Sequence, residues 1–213
     1  LVFGPFGNPF YNSVIATFCH QVTYDEIPNI DVDRQLKLIY VSDLVDAIIK
    51  VIHADENIHE LRIPHMVEAK ISEILALLRY YKDVYQVKGE FPTLNNTFEH
   101  KLFNTYRCYM DIANYFPRKL AQHPDNRGVF VEIARIGIPG QVSFSITIPD
   151  ITRGNHFHLR KIERFSVIKG RALIQLRRIG TSEVINFYLD GKEPAYVDMP
   201  IWYTHNIKNI GTE

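Results

Sequence analysis

Only two cysteines and one tryptophan stand in 213 residues, and so little cysteine excludes a disulfide-stapled scaffold. Cys19 and Cys108 each fall within apolar helical patterns, which fits a reducing, cytoplasmic compartment. Charge of one sign is not in excess, since 24 Lys and Arg balance 24 Asp and Glu. Without a basic run, neither nucleic acid nor an anionic membrane is an expected partner. No apolar run nears the roughly 20 residues of a membrane span, and no secretory leader pattern is present. An initiator methionine is missing as well: the chain opens at LVFGPFG and ends at IGTE after a strand-like segment, so it reads as an internal piece of a longer protein. What is there in quantity is apolar residues, 46% of the chain, enough for two modest cores.

The first half alternates strand-like and helix-like stretches. Leu1 to Phe3 reads as the end of a buried strand, and Gly4 to Pro9 as a loop. From Asn12 or Ser13, either a good N-cap, Val14, Ile15, Phe18, Cys19 and Val22 share one helical face. LKLIYV at 36–41 reads as a strand, and Ser42 as the cap of a helix with Leu44, Val45, Ile48, Ile49 and Ile52 in its stripe. Further stripes follow: Ile74, Leu75, Leu77, Leu78 and Tyr81 after Ser72, then Phe98, Leu102, Phe103 and Tyr106 after FPTLNN. Their simplest reading is core packing. Strands alternating with helices predict part of an α/β layer, with the remainder upstream.

Beyond Pro117 the period changes from 3.6 to 2. Short strands are expected at 129–136, 142–148, 164–169, 171–178, 183–189 and 201–210, punctuated by Gly170, Gly180, Gly191 and Gly211. That pattern predicts a small β-barrel or double-sheet jelly roll. The polar, turn-rich stretch ending in HPDNRG is the expected junction. The organisation is therefore read as residues 1–116, a linker at 117–127, and a second domain at 128–213.

Within that second domain, GNHFHLRKIERFSVIKG at 154–170 concentrates the chemistry. On a strand, side chains two apart share a face, so His156 and His158 are expected side by side with Phe157 turned to the opposite layer. Glu163 follows closely, and His205 returns on a later strand after a proline turn. Three imidazoles and a carboxylate would suit a divalent ion of the zinc, iron, manganese or nickel kind, zinc being the expected one. The bland alternative is a set of barrel histidines satisfied without metal.

The spacings HxHx4Ex6G and PxWxxHxxxN resemble the two motifs of the cupins, which implies an all-β jelly-roll barrel with a metal in its mouth. Asp150 and Trp202 stand where that family carries glycine. More widely, NRGVFVEIARIGIPGQVSFSITIPDITRGNHFHLRKIERFSVIKG and VDMPIWYTHNIKNIG resemble the C-terminal domain of bacterial bifunctional UDP-4-keto-6-deoxy-N-acetylhexosamine epimerase/reductases of capsule and O-antigen precursor synthesis, on the N-acetyl-L-fucosamine route. LVFGPFGNPFYNSVIATFCHQV and LKLIYVSDLVDAII resemble C-terminal segments of the extended short-chain dehydrogenases. A GxxGxxG phosphate loop is absent, and the dehydrogenase-like segments do not include the catalytic YxxxK pair, so the NADPH-binding half and the reductase active site are expected to lie outside this piece.

The resemblance implies an incomplete Rossmann-type part fused to a cupin barrel without its last strand. It implies C3 epimerisation of a UDP-4-ketosugar in the cupin, then NADPH-dependent C4 reduction, in a cytoplasmic homodimer. Lys161 and Tyr203, which flank the ligand positions, are the candidate proton-transfer groups. Arg153, Asn155 and Arg164 are candidate substrate contacts. Leu159 and Ile162 stand where the family tends to carry His and Asn, from which weaker chemistry is expected. Two other classes remain: a cupin enzyme of different chemistry, such as an isomerase or dioxygenase, and a domain that only binds a sugar nucleotide or dimerises.

Overall fold

A computed structural model describes residues 1–54, 60–120, 122–125, 128–131 and 145–212. They form two compact units, Leu1–Met110 and Asp111–Glu213.

In the first unit β1 (Val2–Phe3) leads through α1 (Val14–Thr23) to β2 (Gln35–Tyr40), which lies parallel to β1. Of the two expected caps it is Ser13 that acts, its side-chain oxygen accepting the Ala16 N–H at 3.2 Å. Ile15, Phe18, Cys19 and Val22 are buried beneath. Strand β2 runs directly into α2 (Val41–Ile52), so Tyr40 takes the N-cap position and Ser42, expected there, lies in the first turn. The expected stripe of α2 is present but uncovered: Val45, Ile48, Ile49 and Ile52 are all exposed. Periodicity says which residues share a face, not what covers it.

Strand β3 (Val67–Lys70) pairs antiparallel with β2, closing a three-stranded sheet with one parallel pair. A wider parallel sheet is not found among the described residues. Helix α3 (Ile71–Tyr81) starts one residue before Ser72, whose N–H and hydroxyl both donate to the Asp33 carboxylate, at 2.9 and 2.7 Å. It continues as π-helix over Lys82–Val87. Helix α4 (Thr97–Arg107) is capped by Asn96, whose Oδ1 accepts from the Glu99 N–H at 2.9 Å. Both aromatic stripes are core, as expected. Tyr81 meets Phe103 edge-on at 5.1 Å, and burying each large apolar side chain contributes about 1.5–3 kcal/mol.

The second unit opens with the short helix α5 (Ile112–Tyr115), followed by β4 (Arg118–Lys119), β5 (Gln122–Asp125) and β6 (Gly128–Val131). The residues expected to link two domains, 117–127, therefore carry β4 and β5, and β5 forms an antiparallel hairpin with β6. Then come β7 (Thr152–His156), β8 (Glu163–Val167), β9 (Arg171–Arg178), β10 (Ile185–Asp190), β11 (Ala195–Met199) and β12 (Tyr203–Asn209). They build two antiparallel sheets, ordered β10-β9-β12-β7 and β4-β11-β8. A core of Ile174, Leu176, Phe187, Leu189, Val197 and Met199 is joined by Ile112 and Phe116.

Two strand expectations need correction. Of the stretch 142–148, residues 142–144 lie outside the described residues, and 145–148 are not in a strand, with Ile146 and Ile148 exposed. Alternation of apolar residues did not guarantee a sheet face to bury them. Conversely β11 was not expected. All five of its residues, Asp198 included, are buried, so the in/out alternation that marks a half-buried strand is missing. Of the strand expected at 129–136, residues 132–136 lie outside the described residues.

Candidate metal centre

The site is assembled by the pairing of β7 with β12. His156 stands opposite His205, but the next pair is Asn206 with Gly154, leaving Asn155 as an extra residue. This is a β-bulge, which locally bends a strand and re-aims its side chains. The backbone needs left-handed conformations to make it, φ +106° at Gly154 and +60° at Asn155. A Cβ on Gly154 would sit 2.8 Å from the His205 carbonyl oxygen. Gly154→Ala is thus expected to destabilise the second unit by about 1–3 kcal/mol and to weaken metal binding, because the clash falls on the backbone of His205. Denaturant midpoints together with metal titration check this.

His158 does not sit on the strand, as the spacing suggested: β7 stops at His156. It still reaches the cluster. One ligand atom from each of His156, His158, Glu163 and His205 lies within 4.8 Å of all the others. His158 Nε2 and His205 Nε2 both approach Glu163 Oε2 at 3.0 Å. Glu163 is the first residue of β8, and His205 comes from the inner face of β12, opposite Leu176 of β9.

The protonation pattern favours a cation. His205 Nδ1 lies 3.2 Å from the Tyr203 carbonyl, and a carbonyl can only accept, so Nδ1 carries the hydrogen and Nε2 keeps its lone pair. That Nε2 is fully buried and has no hydrogen-bond partner among the described residues; its approach to Glu163 is close enough for an ion pair yet lacks hydrogen-bond geometry. Burial, above all, pushes His205 below the usual imidazole range, against the opposing pull of the Tyr203 carbonyl and the Glu163 charge, which favours the neutral ring. Burial also pushes the Glu163 carboxyl up, but the hydrogen bond and charge of Lys161, with a contribution from His158, outweigh it and hold the group below the usual carboxylate range. A neutral lone pair and a carboxylate oxygen thus face each other at 3.0 Å. Two acceptors at that distance repel unless a positive charge lies between them. Three imidazole nitrogens and one carboxylate oxygen fit a divalent ion of zinc type.

The other sequence candidates are scattered more widely. Lys161 is exposed, with Nζ donating to Glu163 Oε1 at 2.7 Å, which brings it to the edge of the cluster. Tyr203 lies two residues before His205 on the same strand face, its ring packed against the core. Arg153 and Asn155 are exposed on β7, and Asn155 Oδ1 accepts from Asn206 Nδ2 at 3.0 Å. Arg164, expected as a substrate contact, is turned inward: Nε and Nη2 donate to the two carboxylate oxygens of Asp198 at 2.7 and 2.9 Å. Leu159 is exposed and Ile162 half-buried.

Phe157 departs from expectation. It does not enter the opposite layer but stacks on Trp202, centroids 6.0 Å apart and planes inclined by 23°. Trp202 and Asp150, the two positions noted for lacking glycine, have φ of +65° and +64°. A bulky side chain in this region costs about 1–2 kcal/mol. Spacing had singled out the ligands and these two positions; Asp198, the Asn155 bulge and the Phe157 stack carried no sequence signal beyond their residue types.

Among known proteins, a family model matches this half of the chain and individual relatives align along nearly all of it. Residues 123–213 match the model of the polysaccharide biosynthesis C-terminal domain family. All four clustered side chains fall inside the matched region. The whole chain is 30% identical, over 219 aligned residues, to UDP-2-acetamido-2,6-β-L-arabino-hexul-4-ose reductase of Pseudomonas aeruginosa, covering 57% of that protein. It also resembles the crystal structure of the capsular polysaccharide assembling protein CapF of Staphylococcus aureus, with 36% identity and a TM-score of 0.56 over 99% of this chain and 59% of that one. A second crystal form of CapF gives 36% identity and a TM-score of 0.55, over 99% and 62%. The chain is homologous to a sugar-nucleotide reductase, and it spans less than two thirds of the length of each of these relatives.

Proposed function

We propose that this chain is part of a nucleotide-sugar-modifying enzyme of capsular or O-antigen polysaccharide synthesis, in which the second unit is a cupin that epimerises C3 of a UDP-4-keto-6-deoxy-N-acetylhexosamine. The observation that carries the reading is the buried His205 Nε2 facing Glu163 Oε2 at 3.0 Å, inside the region that matches the polysaccharide biosynthesis domain. The Pseudomonas aeruginosa relative is named for a hexul-4-ose, a sugar with its ketone at C4. The C3 hydrogen beside such a ketone is the acidic one. Epimerisation removes it as a proton, shifts the electron pair toward the ketone oxygen, and returns a proton to the other face.

His156, His158, Glu163 and His205 would hold a divalent metal, zinc first. Bound there, it supplies positive charge to an oxygen that gains electron density, provided that a coordination position stays open. Lys161, whose ammonium lies against Glu163, and Tyr203, on the strand face of His205, are the residues assigned to proton transfer. No oxidation or reduction occurs in this step. Reduction of the C4 ketone is assigned to a dehydrogenase half using NADPH, which these 213 residues do not supply. The protein is read as a cytoplasmic homodimer, with the exposed Arg153 and Asn155 as the remaining substrate-contact candidates, Arg164 being committed to Asp198.

One observation favours a second reading. Four protein ligands complete a tetrahedral zinc shell, and a closed shell would make the metal structural and the domain a binding or dimerising one. Incubating the metal-loaded chain with the UDP-4-ketosugar in heavy water, without NADPH, separates the two. Loss of the C3 proton signal by NMR is the expected result. Retention of that signal with metal fully bound would favour the second reading.

A further inference from the structure

Strand β7 ends at His156, so His158 receives nothing from the sheet ladder to fix its backbone. Two contacts from one residue replace that support. The Trp202 N–H donates to the His158 carbonyl at 3.1 Å. The Trp202 indole stacks on Phe157, the residue between the two histidines. The turn that carries Trp202 is itself anchored, because the Trp202 carbonyl accepts from the Ile179 N–H at 2.9 Å, just past the end of β9. Ile201, beside it, is fully buried.

The conformation of this residue is unfavourable. Trp202 holds φ +65°, a region that glycine enters freely and a bulky side chain rarely does. Strain of this kind persists only where surrounding contacts over-determine it, and it gathers at functional sites. Nor is the stack explained as core: Phe157 is 43% exposed and Trp202 only half-buried. An aromatic pair that hides little surface, made at the expense of backbone strain and astride a pair of metal-ligand candidates, is better accounted for by what it holds.

We infer that Trp202, through its stack on Phe157 and its bond to the His158 carbonyl, is a positioning residue that sets how His156 and His158 present their imidazoles to a divalent cation. This rests on the metal reading of the four-residue cluster. Groups that orient ligands from outside the coordination shell typically alter metal affinity by about 10–100-fold. Trp202→Gly keeps the left-handed turn accessible and deletes the stack. Phe157→Leu deletes the same stack from the other side without touching the strained residue. Trp202→Phe keeps an aromatic face.

The experiment is zinc affinity by chelator competition on the full chain, paired with thermal melting of the metal-free protein. Trp202 is the only tryptophan, so in the wild type its emission also reports directly on ion binding. Trp202→Gly and Phe157→Leu are each expected to weaken zinc binding by about 10–100-fold. The double variant should be little worse than either, because both remove one interaction. Trp202→Phe should bind within a few-fold of wild type. The metal-free melting temperature of Trp202→Gly should not fall, since relief of strain offsets the lost contact. Zinc affinity unchanged in both single variants would overturn the inference while leaving the cluster intact as a metal site. A lower melting temperature with unchanged affinity would assign the pair to stability alone and equally overturn it. Wild-type protein that binds no zinc would instead remove the metal reading, and this inference with it.

Discussion

Asp198→Ala is expected to destabilise the second unit by about 3–5 kcal/mol, the usual consequence of removing one member of a buried ion pair. Asp198 is 0% exposed, and the Arg164 side chain 8%. The two residues face each other across β8 and β11. Their pairing is bidentate, at 2.7 and 2.9 Å, and the guanidinium lies 3.6 Å from the centre of the Tyr196 ring. Deleting the carboxylate leaves the arginine charge buried without its counter-ion, and that desolvation dominates the loss. Against a typical domain stability of about 5–15 kcal/mol, the change is a large share of the total. Guanidinium unfolding measures it. Arg164→Met with Asp198→Leu should recover most of the deficit, because replacing both charges by apolar groups removes the unpaired one. A loss below about 1 kcal/mol for Asp198→Ala would mean that the pair behaves like a solvent-exposed one. The effect should reach the cluster too, since Glu163 precedes Arg164 at the start of the same strand.

His205→Ala is expected to abolish stoichiometric metal binding, a larger effect than the roughly 10–100-fold typical of outer contacts. His205 is the most buried of the four ligand candidates, only 1% exposed, and the best constrained, with its tautomer fixed by the Tyr203 carbonyl. The signature lies in two melting curves. Wild-type protein should gain stability on adding zinc, by about 4 kcal/mol when the free ion is a thousand times its dissociation constant. The variant should gain nothing. Without metal, the variant should lose little, because the substitution also removes the lone pair that confronts the Glu163 carboxylate. A variant that melts lower but keeps its zinc-dependent gain would take His205 out of the ligand set.

The four ligand candidates were legible because metal chemistry restricts residue type and strand geometry restricts spacing. His156, His158 and Glu163 are close in sequence, and the late histidine is recognisable by its proline-turn context. The helical stripes of the first unit were legible for a similar reason, since Phe98, Leu102, Phe103 and Tyr106 repeat at the period of one buried face. Sequence failed where a residue's role is set by a partner distant in the chain. Arg164 read as a substrate contact because its sequence neighbourhood holds ligands, yet its position is decided by Asp198, 34 residues away in a strand with no alternation. Phe157 was assigned to the opposite layer on the assumption that the strand continues through His158. The bulge at Asn155 and the end of β7 at His156 change the register just there. For α2, amphipathicity identified the face correctly, but coverage of a face is a tertiary property.

X-ray absorption at the metal edge of zinc-loaded protein tests the central claim most directly, because it reads ligand atoms without reference to activity. The only sulfur donors of cysteine type, Cys19 and Cys108, lie in the first unit, and burial pushes the Cys19 thiol well up, away from the thiolate a metal requires. One zinc per chain is predicted, surrounded by nitrogen and oxygen alone at about 2.0–2.2 Å, with the multiple-scattering pattern of several imidazoles. Sulfur scattering at about 2.3 Å, or failure to retain one equivalent of metal, would contradict the account.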